Sequence, residues 1–235
     1  MTFWDHIDEM RNRMLKCILA LLFFSASSFI YSDCIIKFLL YPLEEMGMAN
    51  DIQVLSITSM FSIKISVSVM CGFLISIPIM LYQLWTFISP IFYFNKIKIF
   101  ILLLLSILLC SLGIIFVYFI VVPNSIYFFT SIATDTLQVN YNFTLDLYIS
   151  YIMALIFGGS ILFQLPVIAT LGVLVGVFTP DFLKQYRSFS YVIIMIISAL
   201  ITPPDPISQL FIFFPIVLLY EFSILLSSII GKRHE

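Results

Sequence analysis

A single carboxylate, Glu221, stands about halfway along an apolar run from Gln209 to Ile230, with Leu218, Leu219, Phe222 and Leu225 around it. An ionised carboxylate at that depth in a bilayer costs several kcal/mol, and such residues face a polar cavity or a partner. Two readings stand for it: a protonated glutamate hydrogen-bonded to a neighbouring helix, or a polar site used in transport or subunit binding. Gln164 is a second polar residue in an apolar run, two positions before Pro166. Proline frees the carbonyl of Leu162, so Gln164 either fills that gap as part of a kink or reaches Glu221 to form a buried polar pair. At the N-terminus, Glu9 and Arg13 have the i,i+4 spacing of a helical ion pair, worth a few tenths of a kcal/mol.

Other chemistries lack their residues. The two histidines, His6 and His234, lie at the chain ends, so no span carries a haem ligand. Cys17, Cys34, Cys71 and Cys110 are scattered without a CxxC or a Cys/His cluster and read as small apolar residues. A net charge of −2 argues against a nucleic-acid partner, and no GxxxxGK[ST] nucleotide motif is present. No cofactor or metal is implied, and nothing points to an enzyme.

The elements that hold these residues belong in a membrane. Hydrophobic residues make up 62% of the 235 and charged residues 10%, against about 25% charged in an average soluble domain. The apolar runs are about twenty residues long, enough to cross a bilayer. The chain reads as one all-α polytopic membrane domain, 1–235. Residues 1–14 form an amphipathic helix, with Phe3, Ile7, Met10 and Met14 on one face and Asp5, Asp8, Glu9, Arg11 and Arg13 opposite. That segment belongs at the lipid interface. Six spans follow, at about 15–38, 61–88, 99–122, 147–171, 188–201 and 209–230.

Orientation follows from the basic residues. Arg11, Arg13, Lys16, Lys96, Lys98, Lys184, Arg187, Lys232 and Arg233 all fall on one side if both termini lie inside, on the cytoplasmic or matrix face. Spans five and six are short. Fourteen residues in span five rise about 21 Å against a hydrocarbon core of about 30 Å. Either its boundary extends into Thr202–Pro203–Pro204, or the membrane dips locally. Between the two spans, Pro203, Pro204 and Pro206 make a stiff, non-helical turn. Phe is abundant at 25, with 4 Arg and 7 Ala. That bias suits an AT-rich genome, organellar (mitochondrial inner membrane) or bacterial (inner membrane).

Four stretches resemble the TatC family, the polytopic core of the twin-arginine protein translocase. His6 through Arg13, HIDEMRNR, looks like the family's H-x-x-E-L-R-x-R. Pro78 through Pro90, PIMLYQLWTFISP, with Tyr93 after it, resembles the end of span two and the first cytoplasmic loop. Phe163–Gln164–Leu165–Pro166 resembles F-E-x-P. TPPDPISQ, Pro215 and Tyr220–Glu221 resemble the last hairpin. The resemblance implies export of folded proteins bearing twin-arginine signal peptides, driven by the proton gradient. It implies a signal-peptide site at Glu9, Arg11, Pro90, Tyr93 and Lys96, with Glu9 as an arginine acceptor. Gln164, Thr202, Asp205, Gln209 and Glu221 would form intramembrane polar or partner-binding positions. The implied partners are TatA/TatB-like single-span proteins, signal peptides and membrane lipid, in a homo- and hetero-oligomer. Two positions depart from the pattern: Lys96 and Gln164 each stand where the family has a glutamate.

Two other classes compete. A small-solute or proton carrier is suggested by Glu221 and Gln164, but inverted repeats are not visible between 1–122 and 123–235. A respiratory-complex membrane subunit is suggested by the compositional bias, although without in-span histidines it would carry no haem.

Overall fold

A computed structural model describes residues 3–47, 52–92, 96–136, 143–202 and 206–231. The chain divides into two compact units, Met1–Ile107 with Asn142–Met153, and Leu108–Tyr141 with Ala154–Glu235.

In the first unit, α1 (Phe3–Ile30) is one uninterrupted helix of 28 residues. The expected separate interfacial helix over 1–14, followed by a span over 15–38, is not what forms. No proline or glycine lies between Phe3 and Ile30, so nothing breaks the helix where the amphipathic stretch becomes apolar. The break comes at Tyr31, whose N–H donates to the carbonyl of Ser28 at 3.1 Å. α2 (Ser32–Glu45) follows and buries Ile36, Leu39 and Leu43 at helical spacing. α3 (Ser59–Phe92) packs along α1 and against α2. Lys64 of α3 reaches Asp33 of α2 at 2.7 Å.

The unit is completed by a two-residue parallel pairing between β1 (Ile52–Gln53) and β2 (Phe143–Thr144), with Ile52 opposite Phe143. α6 (Leu145–Leu162) starts directly after β2, and its Tyr148 hydroxyl donates to the carbonyl of Leu39 at 3.2 Å.

α4 (Lys96–Phe116) enters the second unit at Leu108 and passes through a π-helical turn, Val117–Val121, into α5 (Val122–Thr136). Val117 packs where Gly159 leaves no Cβ in its way. α6 ends at Leu162 and α7 (Leu165–Leu174) resumes after Phe163–Gln164, with Pro166 in its first turn. Proline is accepted there because that N–H has no helical partner to lose. The chain then forms α8 (Pro180–Gln185), α9 (Arg187–Ile201) and α10 (Pro206–Gly231).

α10 is the core helix of this unit. Ile212, Ile216, Tyr220 and Ile224 recur every fourth residue and are all buried, and the helix packs against α7, α8 and α9. Its outer face leaves Leu210, Phe214, Leu218 and Leu225 exposed. That face needs an apolar surrounding, which lipid supplies.

Among the described residues, five helical stretches are long and apolar enough to cross a membrane: Ile7–Ile30, Ser59–Leu84, Phe100–Ser131, Leu145–Leu174 and Gln209–Ser228. Arg187–Ile201 is a shorter apolar helix of 15 residues, about 22 Å long. The third stretch runs nine residues beyond the expected 122 because the π-helical turn carries the helix on rather than ending it. The first of these stretches, Ile7–Ile30, starts and ends nearer the N-terminus than the expected 15–38, because α1 runs unbroken from Phe3.

Candidate functional site

One face of α1 and one face of α3 enclose a recess of about 590 Å³ lined by Asp8, Glu9, Asn12, Arg13, Lys16, Tyr82, Gln83 and Thr86. The α1 contributors fall within one face of a 3.6-residue helix, which is why five closely spaced polar residues meet in one place. Arg13 is the centre of the charge arrangement. Its Nε donates to Glu9 Oε1 at 3.1 Å, its Nη2 donates to the same oxygen, and its Nη1 faces Gln83 Oε1 at 3.5 Å. The Arg13 and Glu9 side chains retain only 18% and 22% exposure. The lining holds two carboxylates and two bases, so the recess is formally neutral.

Of the residues expected at this site, Glu9 lies in the recess. Arg11 does not: two positions from Glu9 it points to another side of the helix, and it pairs with Asp8 at 3.7 Å on a well-exposed surface. Pro90 lies in α3 and Lys96 begins α4, but their side chains fall outside the described ones. Tyr93 lies outside the described residues. Tyr82, Gln83 and Thr86 form the α3 wall and were not among the expected site residues. Their signal was present in PIMLYQLWTF, since Gln83 and Thr86 are one turn apart on α3.

The second unit holds a different polar cluster. Arg187 Nη2, at the start of α9, donates to Glu221 Oε2 at 2.8 Å, and the Tyr191 hydroxyl donates to Glu221 Oε1. Next to them, the Ser190 hydroxyl donates to the Tyr220 hydroxyl at 2.9 Å, and Tyr220 donates to the carbonyl of Leu183 at 2.8 Å. Glu221 is therefore ion-paired within the chain, which neither reading of the isolated residue anticipated.

Gln164 and Glu221 do not form the buried pair. Gln164 is 6% exposed and hydrogen-bonds the Cys110 thiol on α4. Thr202 and Gln209 both attach to α9: the Thr202 hydroxyl donates to the carbonyl of Ser198 at 2.9 Å, and Gln209 Nε2 to that of Met195 at 3.0 Å. Asp205, with Pro203 and Pro204 of the stiff turn, lies outside the described residues. No group of three or more His, Cys, Asp or Glu side chains with metal-binding geometry occurs among the described residues.

Helices long and apolar enough to cross a membrane, with a charged but formally neutral recess between α1 and α3, define an integral membrane protein. The family model for the Sec-independent protein translocase protein TatC matches residues 5–215. The chain is 34% identical to the TatC of Aquifex aeolicus (strain VF5) over 236 residues, covering 100% of this chain and 98% of that one. It is 29% identical to the TatC of Escherichia coli (strain K12), covering 97% of this chain and 88% of the relative. Two crystal structures described as the twin-arginine translocase receptor TatC superpose on it. One has a TM-score of 0.81 at 33% identity, over 95% of this chain and 98% of that one. The other, in DDM, has a TM-score of 0.84 at 35% identity, over 94% and 99%. The chain belongs to the TatC family.

Proposed function

We propose that this protein is the core and signal-peptide receptor subunit of a twin-arginine translocase, exporting folded proteins across an energised membrane at the expense of the proton gradient. The observation that carries the reading is the α1–α3 recess. It presents Glu9, an acceptor suited to a guanidinium, beside the polar groups of Gln83, Tyr82 and Thr86. The partners are the arginine-pair signal peptides of folded cargo and TatA/TatB-like single-span proteins. The latter would dock on the α9–α10 hairpin around Thr202 and Gln209, in a homo- and hetero-oligomer surrounded by lipid. Both termini lie on the cytoplasmic or matrix side in this reading, supported by the positive-inside rule, under which nine of the eleven basic residues then belong to inside segments. The membrane is the bacterial or the mitochondrial inner membrane.

The carrier reading drew on Glu221 and Gln164. Glu221 is held by Arg187 and Gln164 by Cys110, so the two in-span polar residues do not come together as the shared polar site that reading called for.

The test is complementation. In a bacterial host deleted for its own TatC but retaining the single-span subunits, this chain restores export of a folded reporter carrying an arginine-pair signal. Export that is equally restored for a reporter whose arginine pair is replaced by lysines contradicts the receptor role.

A further inference from the structure

We infer that Arg13 is a resident competitor in the recess, an internal guanidinium that occupies Glu9 and must be displaced before an incoming arginine can bind. The inference rests on the signal-peptide reading of this recess and adds a regulatory element to it. Three observations carry it. Arg13 grips Glu9 with two donors, Nε and Nη2, both on Oε1, so it holds the carboxylate that a peptide arginine would itself seek. The pair is largely withdrawn from water, at 18% and 22% exposure. The neighbouring Asp8–Arg11 pair, at 66% and 70% exposure and 3.7 Å, is by contrast a solvated contact. Finally, Asp8 and Glu9 are matched by Arg13 and Lys16 in the lining, so an arginine pair with two positive charges enters a recess that offers it no net attraction while Arg13 stays in place.

The geometry also supplies somewhere for Arg13 to go. Gln83 Oε1 lies 3.5 Å from Nη1, at the edge of hydrogen-bond reach. A side-chain rotation that releases Glu9 leaves the guanidinium within reach of Gln83, so it does not lose every acceptor, and its charge stays at the edge of the recess. Exchange is then like for like, with one guanidinium leaving the carboxylate as another arrives. A lysine ammonium arriving at the same carboxylate trades a fork for a single point contact. The competitor weakens every cationic ligand by the same factor, because it acts on the empty state. Its effect is to raise the dissociation constants of the weaker lysine ligands beyond the concentrations at which they are present.

The experiment uses the purified full-length protein in detergent and a fluorescein-labelled peptide carrying an Arg-Arg pair before an apolar stretch, with its Lys-Lys counterpart as the second probe. Affinity is read by fluorescence anisotropy. Arg13→Gln is expected to bind both peptides tighter by the same factor, roughly threefold to tenfold, the range between an exposed helical ion pair and a charge-assisted hydrogen bond. Arg13→Lys keeps the charge, loses the fork, and is expected to tighten both by a smaller factor. Unchanged or weaker binding by both variants overturns the inference and makes Arg13 a positioning residue for Glu9. Glu9→Gln separates this from failure of the underlying reading. If Glu9→Gln loses affinity for the Arg-Arg peptide while the Arg13 variants gain none, the recess is the site and Arg13 is no competitor. If Glu9→Gln binds as the parent does, the recess reading itself fails.

Discussion

At Gly72 α3 packs directly against the α1 backbone, and replacing it with alanine tests that packing sharply. A Cβ at position 72 would lie 2.5 Å from the backbone nitrogen of Ser25 and 2.6 Å from its Cα, with the Ser25 Oγ also in its path, whereas ordinary contact begins near 3.4 Å. The obstacle is backbone, so no side-chain rotation relieves it, and the two helices must separate by about 0.9 Å. Gly158 differs, because the nearest atoms there are side-chain carbons of Ile201, at 2.5 Å and 3.0 Å. Overpacking of the Gly72 kind costs about 1–3 kcal/mol, equivalent to a fall of roughly 3–10 °C in Tm for a chain of this length. The recess lies on the same two helices, with Gln83 about 16 Å along α3 from Gly72. Gly72→Ala is therefore expected to weaken binding of the arginine-pair peptide as well. The assay is thermal unfolding of the detergent-solubilised protein, followed by peptide titration. An unchanged Tm with unchanged binding would refute the backbone contact between α1 and α3, and with it the packing that forms the recess.

The remaining expectations concern the second unit and the first loop. Arg187→Ala and Glu221→Ala each remove half of a partly exposed pair, at 46% and 33% exposure. Each single variant is expected to lower Tm by a few degrees, and the double variant by less than their sum, since the charge left alone in either single is removed in the double; strict additivity would mean the pair is not formed. Gly176 has φ +78 at the end of α7, so Gly176→Ala is expected to cost about 1 kcal/mol, read as a fall of a few degrees in Tm, and no fall contradicts that backbone. Lys96→Glu places an acid where the family has one and is expected to tighten binding of the Arg-Arg peptide by about tenfold at low salt. That gain should shrink as salt rises; an unchanged affinity would mean that position 96 does not face the peptide.

Much of this was readable from residue order. Apolar runs marked the helices, Pro166 marked the break between α6 and α7, and the i,i+4 spacing of Glu9 and Arg13 identified the pair at the heart of the recess. The partner of Glu221 was also within reach. Arg187 and Glu221 lie seventeen residues before and after Pro204, and an antiparallel hairpin about that turn sets them side by side. Reading Glu221 against span six alone put it at mid-membrane depth. Pairing the short α9 with α10 puts it opposite the first residue of α9. Other features depend on contacts distant in sequence. The Gln164–Cys110 bond joins residues 54 positions apart, and the approach of α1 to α3 at Gly72 follows from how whole helix faces fit. The π-helical turn at Val117–Val121 has no composition that distinguishes it from the apolar helix on either side. The continuity of α1 was missed because a change from amphipathic to apolar pattern was taken for a boundary, although such a change does not by itself interrupt the helical hydrogen bonds.

The central claim is that the α1–α3 recess receives the arginine pair of a signal peptide. A photo-crosslinking residue placed at Gln83, with another at Ser62 on the same helix as the comparison position, tests it in membranes containing the assembled translocase. The account predicts a crosslink from position 83 to an arginine-pair precursor, lost when the pair is changed to lysines and lost in Glu9→Gln, with position 62 insensitive to either change. A crosslink from position 83 that survives both changes would contradict it.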